Sequence, residues 1–221
     1  MKRFWAKAVV IAVIAMMGFS VSAMASGHHA NPRVFAPHSH PYGSSYRAWA
    51  ADWFTWVAET PTPQNPFMDP DNCGPFNSHK VWFLGASTGG FVEASCTVPQ
   101  GKALLISPAG DFCSGGTDNL FTSAELLACA RDKTSQLEGV RVTIDGCKVP
   151  HIGRFYLVTR KFSVDLPADN IFGLPEENTP AAVGGVFVII KPLSVGHHTI
   201  VGHISSPIDA TIKYHVTVTA H

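Results

Sequence analysis

A serine-containing segment is the first candidate for chemistry. Residues Gly85-Ala86-Ser87-Thr88-Gly89 match the pattern GxSxG, in which a nucleophilic serine lies on a sharp turn between a strand and a helix. A strand-like run precedes Ser87, but residues 90–98 are typical of a second strand and not of the helix that the motif requires. We therefore interpret the segment Ser87-Thr88-Gly89-Gly90 as an ordinary hairpin loop.

Histidines are the second candidate, because neutral imidazoles bind metal ions. His38-Ser39-His40 places two rings on one side of an extended chain, with His28-His29 close by in sequence. Three imidazoles with one open coordination position would suffice for a catalytic metal. In a cupin-type metal site a carboxylate follows the His-x-His pair at a set spacing, and none follows His38-x-His40 at that spacing. We expect no metal ion and no other cofactor. The remaining histidines considered lie on or near C-terminal strands: His197, His203 and His215.

Carboxylates and aromatic rings offer two further possibilities. Asp52 and Glu59 are seven residues apart, two turns along one helix face, and paired carboxylates can hydrolyse a glycoside at a suitable distance. Sequence spacing does not set that distance, so we interpret them as solvated charges. The aromatic stripe of the same helix could line a groove for sugars or apolar ligands, or it could plug the open end of a sandwich. Core packing is the favoured interpretation. The stripe and its neighbours are Tyr46, Trp49, Trp53, Phe54, Trp56, Trp82 and Phe83.

The elements that position these groups are mostly strands. Tyr46, Trp49 and Trp53 recur at helical spacing, with Ser44 or Ser45 as the N-cap, and Thr122 with Glu125 forms a capping box at the start of a second helix. Asp145-Gly146 is a strong hairpin signal. We predict an all-β fold, a β-sandwich or jelly roll, with one N-terminal aromatic helix and one short helix inserted after the third strand. Strands are predicted over 80–86, 91–98, 102–107, 140–144, 148–151, 154–166 (one long or two short), 186–192, 198–204 and 210–218.

The N-terminus has the pattern of a secretory signal peptide. Lys2, Arg3 and Lys7 precede an apolar run, and Ala23-Met24-Ala25 supplies a small-x-small cleavage pattern. We predict a signal peptide over 1–25, an extended His- and Pro-rich arm over 26–43, and one β-sandwich domain over 44–221. The protein is then exported, periplasmic or extracellular, with no transmembrane segment after cleavage.

Export makes the five cysteines candidates for disulfides. Proximity in sequence favours Cys73 with Cys96 and Cys113 with Cys129. The odd count leaves one cysteine over, which we expect to be Cys147.

Composition excludes several classes of protein. The 221 residues contain 16 basic and 16 acidic side chains, so the net charge is zero and no nucleic-acid partner is expected. A hydrophobic fraction of 46% argues against disorder.

Several sequence blocks together resemble a family of exported bacterial proteins of uncharacterised function. The order and spacing of the blocks carry the resemblance over most of the chain after the signal segment. The resemblance implies export but no established activity. The blocks are Tyr46-x-x-Trp49-x-x-x-Trp53-x-x-Trp56, Asn65-Pro66, Asp69, Cys73, Val81-Trp82-Phe83-Leu84, Cys96-Thr97-Val98-Pro99-x-Gly101-Lys102-Ala103-Leu104, Pro167-x-x-Asn170, Pro192-Leu193 and His198-Thr199-Ile200.

The loop closed by Cys73 is our predicted ligand site. Asp69, Asp71, Asn72 and His79 precede Trp82 at the start of a strand, so polar groups and an aromatic face could converge there. The same residues could simply cap the sandwich with Asx turns. We expect a binding or structural module of the cell envelope or medium, with an envelope component, small ligand or glycan as partner. The alternative is a small secreted hydrolase acting on glycans or esters.

Overall fold

A computed structural model describes residues 33–75 and 80–220. The predicted signal peptide, the first part of the predicted arm and His79 lie outside the described residues. Two β-sheets pack face to face as a sandwich. Within the described residues, no helix combines the length and apolar character needed to cross a membrane.

The first sheet has the order β1-β2-β4-β9-β7, and β8 also pairs with β9. Its long central strands, β4 and β9, are antiparallel and shift register between Ile106 and Ala109. Every residue from Ala181 to Ile190 is buried, because other elements cover this part of β9 on both faces. The strands are β1 (Gly74–Pro75), β2 (Val81–Phe83), β4 (Ala103–Ser114), β7 (Tyr156–Val158), β8 (Phe162–Leu166) and β9 (Glu177–Ile190).

The second sheet has the order β3-β11-β10-β5-β6. Buried and less buried residues alternate along β11, as predicted, because one face of this strand packs inward. Asp145 and Gly146 both have positive φ, 50° and 77°, in the tight turn between β5 and β6. The predicted Asp-Gly hairpin is therefore confirmed. The strands are β3 (Gly90–Pro99), β5 (Arg141–Ile144), β6 (Cys147–Lys148), β10 (Gly196–Ile204) and β11 (Ala210–Thr219).

Two parallel pairings make both sheets mixed. β2 pairs in parallel with β4, and β3 pairs in parallel with β11. The predicted hairpin at Ser87–Gly90 is wrong, because β2 and β3 belong to different sheets and the segment crosses from one to the other. The predicted β-sandwich is confirmed. The alternative of a jelly roll does not fit the two parallel pairings, because a jelly roll is antiparallel throughout.

Three α-helices accompany the sheets in the described part of the chain. α1 (Tyr46–Glu59) begins after Ser45, whose side chain accepts a hydrogen bond from the backbone N–H of Ala48. α2 (Gly115–Asp118) is a single turn after β4. α3 (Ser123–Ser135) begins with the predicted capping box of Thr122 and Glu125. The predicted helical insertion follows β4, which is the third predicted strand, over 102–107; the short strand β1 was not predicted and raises its number by one.

Two disulfides attach a loop and a helix to the sheets. Cys73–Cys96 ties the segment before β1 to β3 of the second sheet. Cys113–Cys129 ties β4 to α3. Both predicted pairings are present, and Cys147 takes part in neither.

Candidate functional site

An apolar cavity of about 330 Å³ opens where α1, the register shift of β4 and the β10–β11 loop meet. The β2–β3 loop, with Ser87 and Thr88, and the end of α3 complete its mouth. Four aromatic side chains and several aliphatic ones form the walls. The principal wall residues are Trp53, Phe54, Phe67, Phe112, Val183, Leu137, Ile204 and Ile208.

The aromatic walls are held in place by one another and by the backbone. Phe54 of α1 and Phe112 of β4 have ring centroids 4.6 Å apart. Trp53 meets Phe67 edge to face at 6.3 Å, and its Nε1 donates a hydrogen bond of 2.8 Å to the carbonyl oxygen of Leu84. These contacts fix the rings that form the walls of the cavity.

Lys133 and Asp111 are the two charged side chains that line the mouth, and Lys133 makes several contacts there. Its Nζ donates to the carbonyl oxygen of Phe112 at 2.7 Å and lies 3.6 Å from Asp111 and 3.4 Å from Asp118. It also lies 5.8 Å from the centre of the Phe112 ring. Burial raises the pKa of Asp118, but hydrogen bonds from Thr117 and the Ser114 backbone, together with the charge of Lys133, lower it by more. The net result is a pKa below the usual range of an aspartate.

Ser87 lies at this mouth in a turn and not in a nucleophile elbow. Its hydroxyl donates to the carbonyl oxygen of Gly89 at 2.9 Å and accepts from the Gly89 N–H at 3.1 Å. The chain continues from Gly90 as strand β3. Because no helix follows, the strand-turn-helix geometry of a GxSxG hydrolase is not formed here.

The polar residues of the predicted loop site bond to the backbone. Asp69 accepts from the N–H of Asp71 at 3.2 Å, and Asp71 accepts from the N–H of Ser95 in β3 at 2.6 Å. Asn72 donates to the carbonyl oxygen of Gln64. These bonds support the capping interpretation of the three side chains, and their assignment to a ligand stays a prediction.

Trp82 takes no part in those hydrogen bonds. It is half-buried in β2 opposite Pro75, and its buried Nε1 has no hydrogen-bond partner among the described residues. Within 33–75 and 80–220, no hydrogen bond or ion pair joins Trp82 to the loop carboxylates. His79, the fifth predicted residue, lies outside the described residues.

The C-terminal histidines bond to neighbours on the outer face of the second sheet. His197 contacts Thr217 at 3.2 Å, and His203 contacts Thr211 at 2.9 Å. His215 lies 3.5 Å from Glu93. In the described part of the chain, one group brings three potential ligand atoms within 4.8 Å, namely Cys113, Asp118 and Cys129. Its two sulfurs are joined in the disulfide, and Lys133 lies beside its carboxylate.

The carboxylates of α1 are separated by the helix rise. Seven residues rise about 10 Å, beyond the roughly 5.5 Å between the carboxyl groups of a retaining glycosidase. Glu59 accepts a hydrogen bond of 3.0 Å from the backbone N–H of Asp165. Asp52 is half-buried, and burial raises the pKa of its carboxyl.

Sequence reasoning missed a row formed by Asp145, His198 and Ser194. Asp145 Oδ2 lies 2.7 Å from His198 Nδ1, and His198 Nε2 lies 3.3 Å from the Ser194 hydroxyl. Nε2 lies nearer, at 2.9 Å, to the Ser194 carbonyl oxygen, which can only accept. Acceptors at both nitrogens suit the doubly protonated ring, and an Nε2 that donates to the Ser194 carbonyl oxygen is not free to take the proton of the hydroxyl.

The pKa of His198 agrees with this hydrogen bonding. Burial lowers the pKa, but the hydrogen bonds to Asp145 and the Ser194 carbonyl and the charge of Asp145 outweigh burial, so the net shift is upward. Asp145 also accepts from the N–H of Thr199 at 2.8 Å. The row therefore ties the β5–β6 turn to the start of β10.

Comparisons with known proteins return no match: no family model, no curated protein sequence and no solved structure matches this chain. The apolar cavity is the arrangement best suited to hold a molecule, since it combines aromatic walls with polar groups at one opening.

Proposed function

We propose that this protein is an exported binding module that holds a small, ring-containing apolar molecule in the cavity between α1 and β4. The observation that carries the proposal is the set of four aromatic side chains around 330 Å³ of space. That volume is at the lower end of ligand pockets, roughly 300 to 1,000 Å³, and suits a molecule of one or two rings. The two disulfides, which suggest an oxidising compartment, support export.

Polar groups at the mouth indicate that one end of the ligand is polar. Asp111, Gln136 and Lys133 lie there, whereas the deeper walls are carbon-rich. A ligand with one hydrogen-bonding group fits this division, because its rings stack inside while the polar atom stays at the solvent side.

Fluorescence of N-phenyl-1-naphthylamine tests the proposal. This apolar probe is uncharged, so it does not report on charged surfaces. We expect enhanced emission that saturates at one probe per chain. Phe112→Ala removes a wall and Thr88→Trp narrows the mouth, and each should weaken binding about tenfold. Phe91→Ala is the matched control, because Phe91 is 65% exposed on β3 and does not line the cavity. No saturable emission, or equal loss in the control, would contradict the proposal.

Ester hydrolysis is a second candidate, because Asp145, His198 and Ser194 are the residue types of a serine-hydrolase triad and lie in that order. In this reaction His198 must first lose its Nε2 proton and leave the Ser194 carbonyl, and it then takes the hydroxyl proton as Ser194 Oγ attacks the ester carbon. The ester C–O bond breaks as His198 gives that proton to the leaving alcohol, and water then hydrolyses the acyl-serine by the same route. Labelling by a fluorophosphonate at Ser194, absent in Ser194→Ala and Asp145→Asn, would support it. Labelling equal to that of an unfolded control would reject it.

A further inference from the structure

A second surface differs from the cavity in its charge. Three adjoining depressions of about 630, 170 and 520 Å³ share Arg47 and together form one elongated groove along α1, β7 and the end of α3. We call this the basic groove. Its charged lining is Arg47, Arg131, Arg154, Arg160 and Lys161.

Among the described residues, no acidic side chain lines the groove beside these cations, although burial and the charge of Glu138 raise the pKa of Tyr156 in its floor. The lining of the three depressions contains no Asp or Glu. Asp52 on α1 and Asp132 on α3 lie on the same elements but do not line the groove, and Glu138 lies just beyond α3. Among the described residues, none of the five cations takes part in an ion pair, whereas Lys133 and Lys213 do. A chain of zero net charge thus concentrates unneutralised positive charge in one concave strip.

We propose that the basic groove binds an acidic polysaccharide, a chain of sugars that carries carboxylate groups along its length. Arginine suits that ligand because its planar guanidinium donates two parallel hydrogen bonds to one carboxylate. Several arginines along an elongated groove match acidic groups repeated along a chain. The half-buried Tyr156 and Leu157 give the groove an apolar floor for the faces of sugar rings.

The shape and hydrogen bonding of the groove favour a polysaccharide over a membrane or a peptide. The surface of a bilayer is broad and makes little contact with the inside of a narrow concave strip. The apolar floor is also only half exposed, so it offers little area for insertion into lipid. An added peptide strand would pair with the edge strand β7. That strand has three residues, and Arg47 Nε already donates to its Val158 carbonyl oxygen at 3.0 Å.

Calorimetric titration with a polygalacturonate oligomer, at low and at physiological ionic strength, tests the proposal. We expect saturable binding that weakens with salt. Arg131→Gln with Arg160→Gln should weaken binding about tenfold, since each loses a charge-assisted contact. Arg47 is left unchanged because it holds the edge of β7. The matched control is Arg33→Gln with Arg141→Gln, which removes equal charge from exposed arginines outside the groove.

Three results would overturn the proposal. The first is no binding of polygalacturonate at low ionic strength. The second is an equal loss of affinity in the control pair, which would show general charge attraction. The third is tighter binding of polyglutamate or of anionic phospholipid vesicles than of the sugar chain. Leu137 lines both the cavity and the groove, but binding of the apolar probe in the cavity is a separate measurement, so this proposal and the proposed function fail separately.

Discussion

Phe54 and Phe112 lie with ring centroids 4.6 Å apart, and both line the same cavity although one belongs to α1 and the other to β4. Phe172 completes the contact at 4.9 Å from Phe112 and 6.3 Å from Phe54. The aromatic stripe of α1 therefore contributes both to the core and to the lining of a cavity. Most of it is core, and Trp53 with Phe54 also forms a wall of the cavity.

Trp53 should carry a large part of the stability of α1 against the sheets. Trp53→Ala removes a side chain that is 4% exposed and should lower the free energy of unfolding by about 3 to 5 kcal/mol. Trp53→Phe keeps a ring but leaves the buried Leu84 carbonyl oxygen without its donor, and should cost about 1 to 3 kcal/mol. Denaturant titration measures both. An unchanged midpoint for Trp53→Ala, with probe binding lost, would assign the residue to ligand binding alone.

The disulfide between β4 and α3 should stabilise the helical insertion. Replacing Cys113 and Cys129 by Ala opens a loop of sequence separation 16 and should cost about 3 kcal/mol. Peptide mapping of unreduced protein should find the pairs Cys73–Cys96 and Cys113–Cys129. Cys147→Ala is the control, since it leaves both bonds intact. A peptide that links Cys147 to Cys73 would contradict the pairing.

The His198 contact predicts a pH dependence of stability. Because its pKa is raised in the folded protein, the folded state binds the proton more tightly than the unfolded state does. The stabilisation is fully present below the ordinary histidine pKa of about 6.5 and is lost as the pH rises through the folded value. The difference in unfolding free energy between the native chain and His198→Gln should therefore be larger at about pH 6 than at about pH 8.5. Exposed His38→Gln serves as the control. A difference that grows toward alkaline pH would reject the contact.

Asp71 should act on stability, since its carboxylate accepts from the backbone of β3 at 2.6 Å. Asp71→Ala should lower the free energy of unfolding by about 1 to 2 kcal/mol, because the Ser95 N–H loses a charged acceptor. Glu176→Ala, an exposed carboxylate elsewhere, is the control for loss of charge. A stable Asp71→Ala variant that loses affinity for a ligand would restore the predicted loop site.

Local patterns predicted much of the secondary structure. The capping residues Ser45, Thr122 and Glu125 and the Asp145-Gly146 turn are local signals, and each is found as predicted. β4 and β9 extend beyond the predicted runs, to Ser114 and from Glu177. The predicted runs were too short because most of the added residues are small, polar or proline. Pairing within a sheet compensates for their weak strand propensity.

Pairings between distant segments could not be read from the sequence. The parallel pairing of β3 with β11 joins residues more than a hundred positions apart, and local turn chemistry at Gly89-Gly90 favoured a hairpin instead. The cavity was missed for the same reason. Trp53 and Phe54 stood out by their helical spacing, but Phe112 and Ile208 come from segments that only the tertiary fold brings beside them.

Methyl NMR during titration with N-phenyl-1-naphthylamine tests the central claim most directly. The account predicts that the methyl signals of Val183, Ile204 and Ile208, which line the cavity, shift progressively and saturate together. Those of Ile200 and Val216, buried but not part of its lining, should stay in place. The largest shifts at Leu127 and Leu157 in the basic groove, or no saturable shift at any methyl, would contradict a ligand site between α1 and β4.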